Sequence, residues 1–194
     1  MAFKLRKTTP KRRSNIQSKS HYRQYREELA IDFEHHCGYC GDSDTPRKES
    51  FEIDHFIPKK YLNTISENDY TNLVYACRSC NNAKRAKWPT ENEKLPNDGI
   101  RGWIDPCEDL YDEQFERSEI GAIIAKTEIG RWMYDNLNLW KKQHEVLWNI
   151  EQLDGLIDEI ESLMSSSCEN TTDYKDLALM LLKARKLVKD FYAE

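Results

Sequence analysis

At 194 residues, with 39% apolar and 32% charged residues and only seven Gly and six Pro, the chain has room for one modest domain plus an appendage and reads as largely helical and soluble. No run of about 18 apolar residues occurs and the N-terminus lacks an apolar signal core; this argues against a helical membrane span or a secretory leader and makes the cytoplasm the expected compartment. The formal net charge of −5 hides an asymmetry, because residues 1–26 hold nine Lys or Arg and no acid, which suggests a polyanion on one side and a different partner on the other.

Residues 1–16 carry little apolar content and are expected to be a flexible basic arm that tracks phosphates. Tyr22, Tyr25, Leu29, Ile31 and Phe33 then include helical spacings, which predicts a helix from Ser20, its N-cap, to His36. His35 and His36 read as polar residues of the helix end. The Cys37-Gly38-Tyr39-Cys40 step follows, and a second such step, Cys77-Arg78-Ser79-Cys80, lies further on. Each pair can put two thiolates on one side of a tight turn, and together they complete the tetrahedron of a structural zinc.

Between these pairs, Phe51–Ile53 predicts a short strand ending at Asp54-His55, with Pro58 just beyond. Neighbouring side chains of a strand face opposite ways, so Asp54 and His55 need a strand end or a bulge to share one cleft. Lys59 and Lys60 open a polar loop, and Asn72 precedes a second strand over Leu73–Ala76. A helix is expected from about Ser79 to Lys87, stopped by Pro89, with Asn81 in its first turn. Lys84, about one turn beyond Asn81, is the best candidate phosphate contact, with Arg85, Lys87, Lys59 and Lys60 as further ones.

A neutral imidazole can take a proton, and a carboxylate and an amide oxygen are hard donors of the kind Mg2+ accepts. Asp54-His55, Asn72 in Thr-Asn-Leu-Val, and Cys80-Asn81 followed by Lys84 resemble the HNH nuclease domain, the ββα-metal finger, in its four-cysteine form. The resemblance implies that His55 is the general base, that Asp54 and Asn81 hold one catalytic Mg2+ or Mn2+, and that Asn72 braces the loop that aims His55. It also implies DNA as substrate and 5′-phosphate with 3′-hydroxyl as products. Two other readings of the same residues stand beside it: a zinc-stabilised module that binds nucleic acid or protein without cutting, and a nuclease subunit silent until an ATPase partner licenses it.

After Pro89 the composition turns to Asn, Asp, Glu, Pro and Gly, with Trp103–Glu108 as a firmer island. Gln114–Thr127 predicts a small β-hairpin. Ile104–Glu108, with Gly130 and Leu137-Asn138-Leu139, also resembles the C-terminal region of HNH proteins from bacterial phage-defence systems, some paired with an ATPase. From Thr127, two or three helices are expected. One carries a stripe of Leu147, Ile150, Leu153, Ile157, Ile160 and Leu163, and Ser165–Ser167 with Asn170 break it. Thr172 or Asp173 caps a last helix bearing Leu177, Leu181, Ala184, Leu187, Val188 and Phe191, which packs on the first or forms a dimer surface. Trp132, Trp140 and Trp148, eight apart, read as core. Cys107 and Cys168 read as small, partly buried thiols.

The expected fold class is therefore α+β, mainly helical. Its parts are the arm (1–16), the finger with its zinc site (17–90), a linker and small hairpin (91–126), and a C-terminal helical region (127–194).

Overall fold

The computed structural model describes residues 2–45, 47–166 and 178–186. The chain divides into two compact units, Met1–Glu145 and Val146–Glu194. The expected boundary at 126/127 is thus displaced, because the helix after Thr127 belongs to the first unit.

The first unit is built around an antiparallel pair, β1 (Phe51–His55) and β2 (Leu73–Cys77), with the short helix α2 (Arg78–Lys84) following β2 directly. The register runs from Phe51 opposite Cys77 to His55 opposite Leu73 without a bulge. All five residues of β2 are buried, as is natural for a strand that carries Leu, Val, Tyr and Ala against helix α1 (Arg26–Asp32) and the first thiol turn. Gly38 makes that packing possible: a Cβ there would lie 2.7 Å from a Phe33 ring carbon and 2.9 Å from Val74 Cγ1. Its N–H donates to Tyr75 O at 2.9 Å and locks the turn to β2.

Three local expectations are corrected. Helix α1 is preceded by a 3-10 turn, Tyr22–Tyr25, capped by His21 and not by Ser20, whose hydroxyl instead donates to Gln24. Glu34 and His35 take positive φ, which ends the helix early and swings the chain into the thiol turn. Helix α2 stops at Lys84, because Arg85 adopts φ 49° while its N–H still bonds Asn81 O at 2.9 Å.

The expected flexible arm is also corrected, since its basic residues serve as staples. Phe3 pairs with Arg117 in an antiparallel bridge and Leu5 is buried. Arg6 makes a two-pronged ion pair with Asp112 (2.8 Å each) and donates to Gly38 O. Arg12 donates to Leu73 O and Asp105, and Arg13 pairs with the buried Asp32. A guanidinium offers five donors in a planar fork, so composition alone does not separate a phosphate-seeking arm from one that clips loops together.

Helix α3 (Asp109–Glu113) leads into the hairpin of β3 (Phe115–Arg117) and β4 (Ile123–Ala125). Arg117, fully buried, donates to the carbonyls of Leu5, Gly121, His144 and Cys40, so one side chain ties the N-terminus, the hairpin and the first thiol turn together. Helix α4 (Glu128–Leu137) starts where Thr127 Oγ1 accepts from Gly130 N (2.9 Å) and ends at Asn138 in the left-handed region. That break scatters the tryptophans: Trp132 packs edge-on against Trp103 (4.9 Å), whereas Trp140 is 62% exposed and not core.

Helix α5 (Lys142–Ser166) supplies the main element of the second unit. There Ile157 of α5 and Leu181 of the helical stretch 178–186 are buried, with Ile150, Ile160 and Ala184 against them. Leu153, placed in the stripe by sequence, is 42% exposed. The expected break at Ser167 and Asn170, the caps Thr172 and Asp173, Cys168, and Leu177, Leu187, Val188 and Phe191 lie outside the described residues. No helix of the described residues is long and apolar enough to cross a membrane.

Candidate metal centre and nuclease site

Cys37, Cys40, Cys77 and Cys80 are all buried, and their sulfurs lie within 4.8 Å of one another. A tetrahedral zinc with Zn–S of about 2.3 Å requires sulfurs about 3.8 Å apart. Cys40 and Cys77 Sγ are 3.8 Å apart, so the residues fit the metal. Cys77 also caps α2, its sulfur accepting from Cys80 N at 3.4 Å, as suits a thiolate. Burial opposes ionisation of Cys37, yet its contacts with the other three sulfurs hold it well below the usual thiol range; burial pushes Cys40 well above it.

A second grouping, Cys40, Asp42 and His144, also has its ligand atoms within 4.8 Å. His144 Nδ1 meets Asp42 at 2.6 Å, and the buried Arg117 guanidinium lies 3.6 Å from the same carboxylate. Together with Arg117 these groups form an ion-pair network under the thiol turn.

Asp54 and His55 leave opposite faces of β1, as its regular register dictates. Asp54 turns toward α2: its Oδ2 accepts from Tyr39 OH (2.5 Å) and lies 2.8 Å from Lys84 Nζ. Both contacts use Oδ2 and leave Oδ1 outside them. His55 turns the other way, edge-on to the Tyr22 ring, with Nε2 2.8 Å from Glu67 O. A carbonyl can only accept, so Nε2 carries the proton and Nδ1 keeps the lone pair. Burial lowers the His55 pKa, partly offset by that hydrogen bond.

Asn72 sits just before β2, at the end of a 3-10 turn, and bridges to the loop after His55: its Oδ1 accepts from Ile57 N (2.8 Å) and its Nδ2 donates to Ile57 O (3.0 Å). Asn81 donates from Nδ2 to Glu52 Oε2 at 2.7 Å. An ionised carboxylate has no proton to give, which fixes the amide orientation and turns Asn81 Oδ1 away from Glu52. Asp54 Oδ1 and Asn81 Oδ1 lie outside these contacts, and both are hard oxygen donors. His55 is not brought to them, which differs from the single cleft the sequence led us to expect.

The basic residues divide. Lys84 is fully buried between the Tyr39 and Trp103 rings and donates to His55 O at 2.8 Å, so its reading as a phosphate contact is corrected: it is the counter-ion of Asp54. Lys59 is engaged by Glu67 (2.5 Å) beside His55. Lys87 reaches Asn136 O, and Lys60 and Arg85 are exposed. Cys107 is half-buried, with its thiol pushed up to about 12 by burial, which suits an inert side chain. The sequence reading passed over Tyr39, Tyr22, Glu67 and Glu52. Glu52 alone had a legible signal, standing two residues before Asp54 and so on its strand face.

Two strands and a helix pinned at both ends by four thiols define a zinc-binding ββα-metal finger. Residues 37–87 match the family model described as HNH endonuclease, a nuclease-type, metal-binding module that implies contact with nucleic acid. Neither the curated proteins nor the solved structures contain a match to the chain.

Proposed function

We propose that the finger is a metal-dependent endonuclease hydrolysing DNA phosphodiester bonds, with His55 as general base and Mg2+ or Mn2+ on Asp54 and Asn81. The observation that carries this reading is the tautomer of His55. The Glu67 carbonyl accepts a hydrogen bond from Nε2–H, which leaves Nδ1 as the basic nitrogen, and burial favours the neutral ring. On this reading one phosphate has to come within reach of both the imidazole and the oxygens of Asp54 and Asn81, groups that leave opposite faces of β1 close to its end. His55 Nδ1 takes a proton from water, the water oxygen bonds to phosphorus, and the bond to the 3′ oxygen breaks, the departing oxygen taking a proton from solvent water to leave a 3′-hydroxyl and a 5′-phosphate. The cation, when bound, neutralises charge on the phosphate and the departing oxygen. Asn72 keeps the loop after His55 in place through Ile57.

Loss of the imidazole in His55→Ala is expected to lower plasmid cleavage in Mg2+ or Mn2+ by about 10²- to 10⁴-fold, with zinc content and circular dichroism unchanged. Undiminished cutting would remove His55 from the mechanism.

One observation favours a second reading, a zinc-stabilised binding module that does not cut: the regular register that parts His55 from Asp54. DNA binding that survives removal of the loosely held cation, with no product at any Mn2+ concentration, would decide for it. For the biological setting we propose cytoplasmic defence against phage, alone or licensed by an ATPase. Leu153, Leu156, Leu179, Met180 and Leu182, all exposed, are the surface for a protein partner or a second copy. Cleavage that rises when a copurified ATPase is added would support the licensed form.

A further inference from the structure

Glu52 lies on the face of β1 that carries Asp54, and on α2 Asn81 and Lys84 are three apart and so share a face. The two elements meet rung by rung, Glu52 with Asn81 at 2.7 Å and Asp54 with Lys84 at 2.8 Å. Glu52 does more than touch Asn81. Its Oε1 accepts from Arg78 Nε at 2.9 Å while Oε2 takes the amide of Asn81, so one carboxylate clips two residues of the first turn of α2 to β1. With its side chain one-third exposed, Glu52 is not required to fill the core.

We propose that Glu52 is a positioning residue for the cation: it fixes the Asn81 amide so that Oδ1, and not Nδ2, faces the ion. An asparagine free to turn by 180° about its last bond presents a donor half the time, and an N–H directed at a cation repels it. A carboxylate partner removes that ambiguity, because it accepts and cannot donate. This rests on the reading of Asp54 and Asn81 as cation ligands, and adds a residue that acts through Asn81 without touching the ion.

The test is Mn2+ binding, followed by electron paramagnetic resonance on the zinc-loaded full chain, with no substrate present. Loss of an outer partner of a ligand costs about 10- to 100-fold in metal affinity. Glu52→Ala is expected to fall in that range with unchanged zinc content and thermal midpoint. Asn81→Ala should lose at least as much, and the double variant no more than Asn81→Ala alone. Wild-type affinity in Glu52→Ala overturns the proposal. So do losses that add in the double variant, since Glu52 would then act on the ion independently of Asn81. If Glu52→Ala does not fold, Glu52→Gln carries the test: its amide can donate as well as accept, so it no longer fixes the Asn81 amide, and a loss toward the 10- to 100-fold range is expected. Affinity within about threefold of wild type in Glu52→Gln overturns the proposal. If wild type and Asn81→Ala bind Mn2+ equally, or neither binds it, the cation reading fails and takes this proposal with it; retention in Glu52→Ala alone sinks only the role of Glu52.

Discussion

In the first unit Lys84 and Arg117 have 0% of their side chains exposed, and the carboxylates they face, Asp54 and Asp42, 8% and 3%. In the second unit Arg185 meets Asp158 at 2.9 Å, and Glu161 besides, with all three partners well exposed. Burying an ion costs several kcal/mol, recovered only where geometry is fixed and the remaining donors are bonded. The first unit meets that condition by surrounding each cation with carbonyls or rings; in the second, solvent screens the charges and the small apolar contact of Ile157 with Leu181 does the holding. One unit therefore depends on a few irreplaceable groups and the other on many weak ones.

The sharpest way to break this contrast is to remove the metal. A structural zinc contributes on the order of 10 kcal/mol to folding in small fingers, so Cys77→Ser, or exhaustive chelation, should abolish the cooperative unfolding transition of the first unit. Near-ultraviolet circular dichroism, dominated here by buried Trp88, Trp103, Tyr39 and Tyr75, is the readout. A Cys77→Ser protein that keeps that spectrum would show that the sulfur cluster is not what holds the unit.

Next in size is a matched pair of arginine deletions. Arg117→Ala strands Asp42 beside His144 and frees four carbonyls, and is expected to cost about 3–5 kcal/mol in urea unfolding. Arg185→Ala should leave the unfolding midpoint nearly in place. Equal effects would mean that burial is not the quantity separating the two units.

This contrast also explains what could be read in advance. The two thiol pairs, the strands flanking Asp54-His55 and the hairpin near Ile123 were legible because each is written in neighbouring residues: a C-x-x-C step, a β-branched or aromatic run, a turn. The fate of the cations was not. Arg6, Arg12 and Arg13 look like an arm for phosphate until Asp112, Asp105 and Asp32, between 19 and 106 residues away, are brought to them. Lys84 sits one turn beyond Asn81 as expected, but Tyr39 and Trp103 close over it from distant segments. The expectation that Asp54 and His55 share a cleft required a strand end or a bulge at that step, and β1 instead runs in regular register through His55. Which face of a strand a side chain takes is local; what waits on that face is not.

The smallest expected effect tests whether a carboxylate can be structural without a buried cation. Glu93 accepts from the backbone N–H groups of Asn63, Thr64 and Ile65 and from the Thr64 hydroxyl. Those donors, Asn63 N–H first, lower its pKa from 4.5 to about 2. Because the folded value lies below the ordinary one, the contribution of Glu93 is complete above about pH 4.5 and disappears as pH falls through about 2. The loop it holds continues to Glu67, whose carbonyl fixes the His55 tautomer. Glu93→Gln places an NH2 among donors at every pH, so at neutral pH the amides of residues 63–65 should exchange hydrogen faster while zinc content stays unchanged. Cleavage should fall with it, though by less than in His55→Ala, because the imidazole remains and only its bracing is loosened. If exchange in this loop is unaltered at neutral pH, the carboxylate is not what orders it, and the bracing of His55 must come from Asn72 alone.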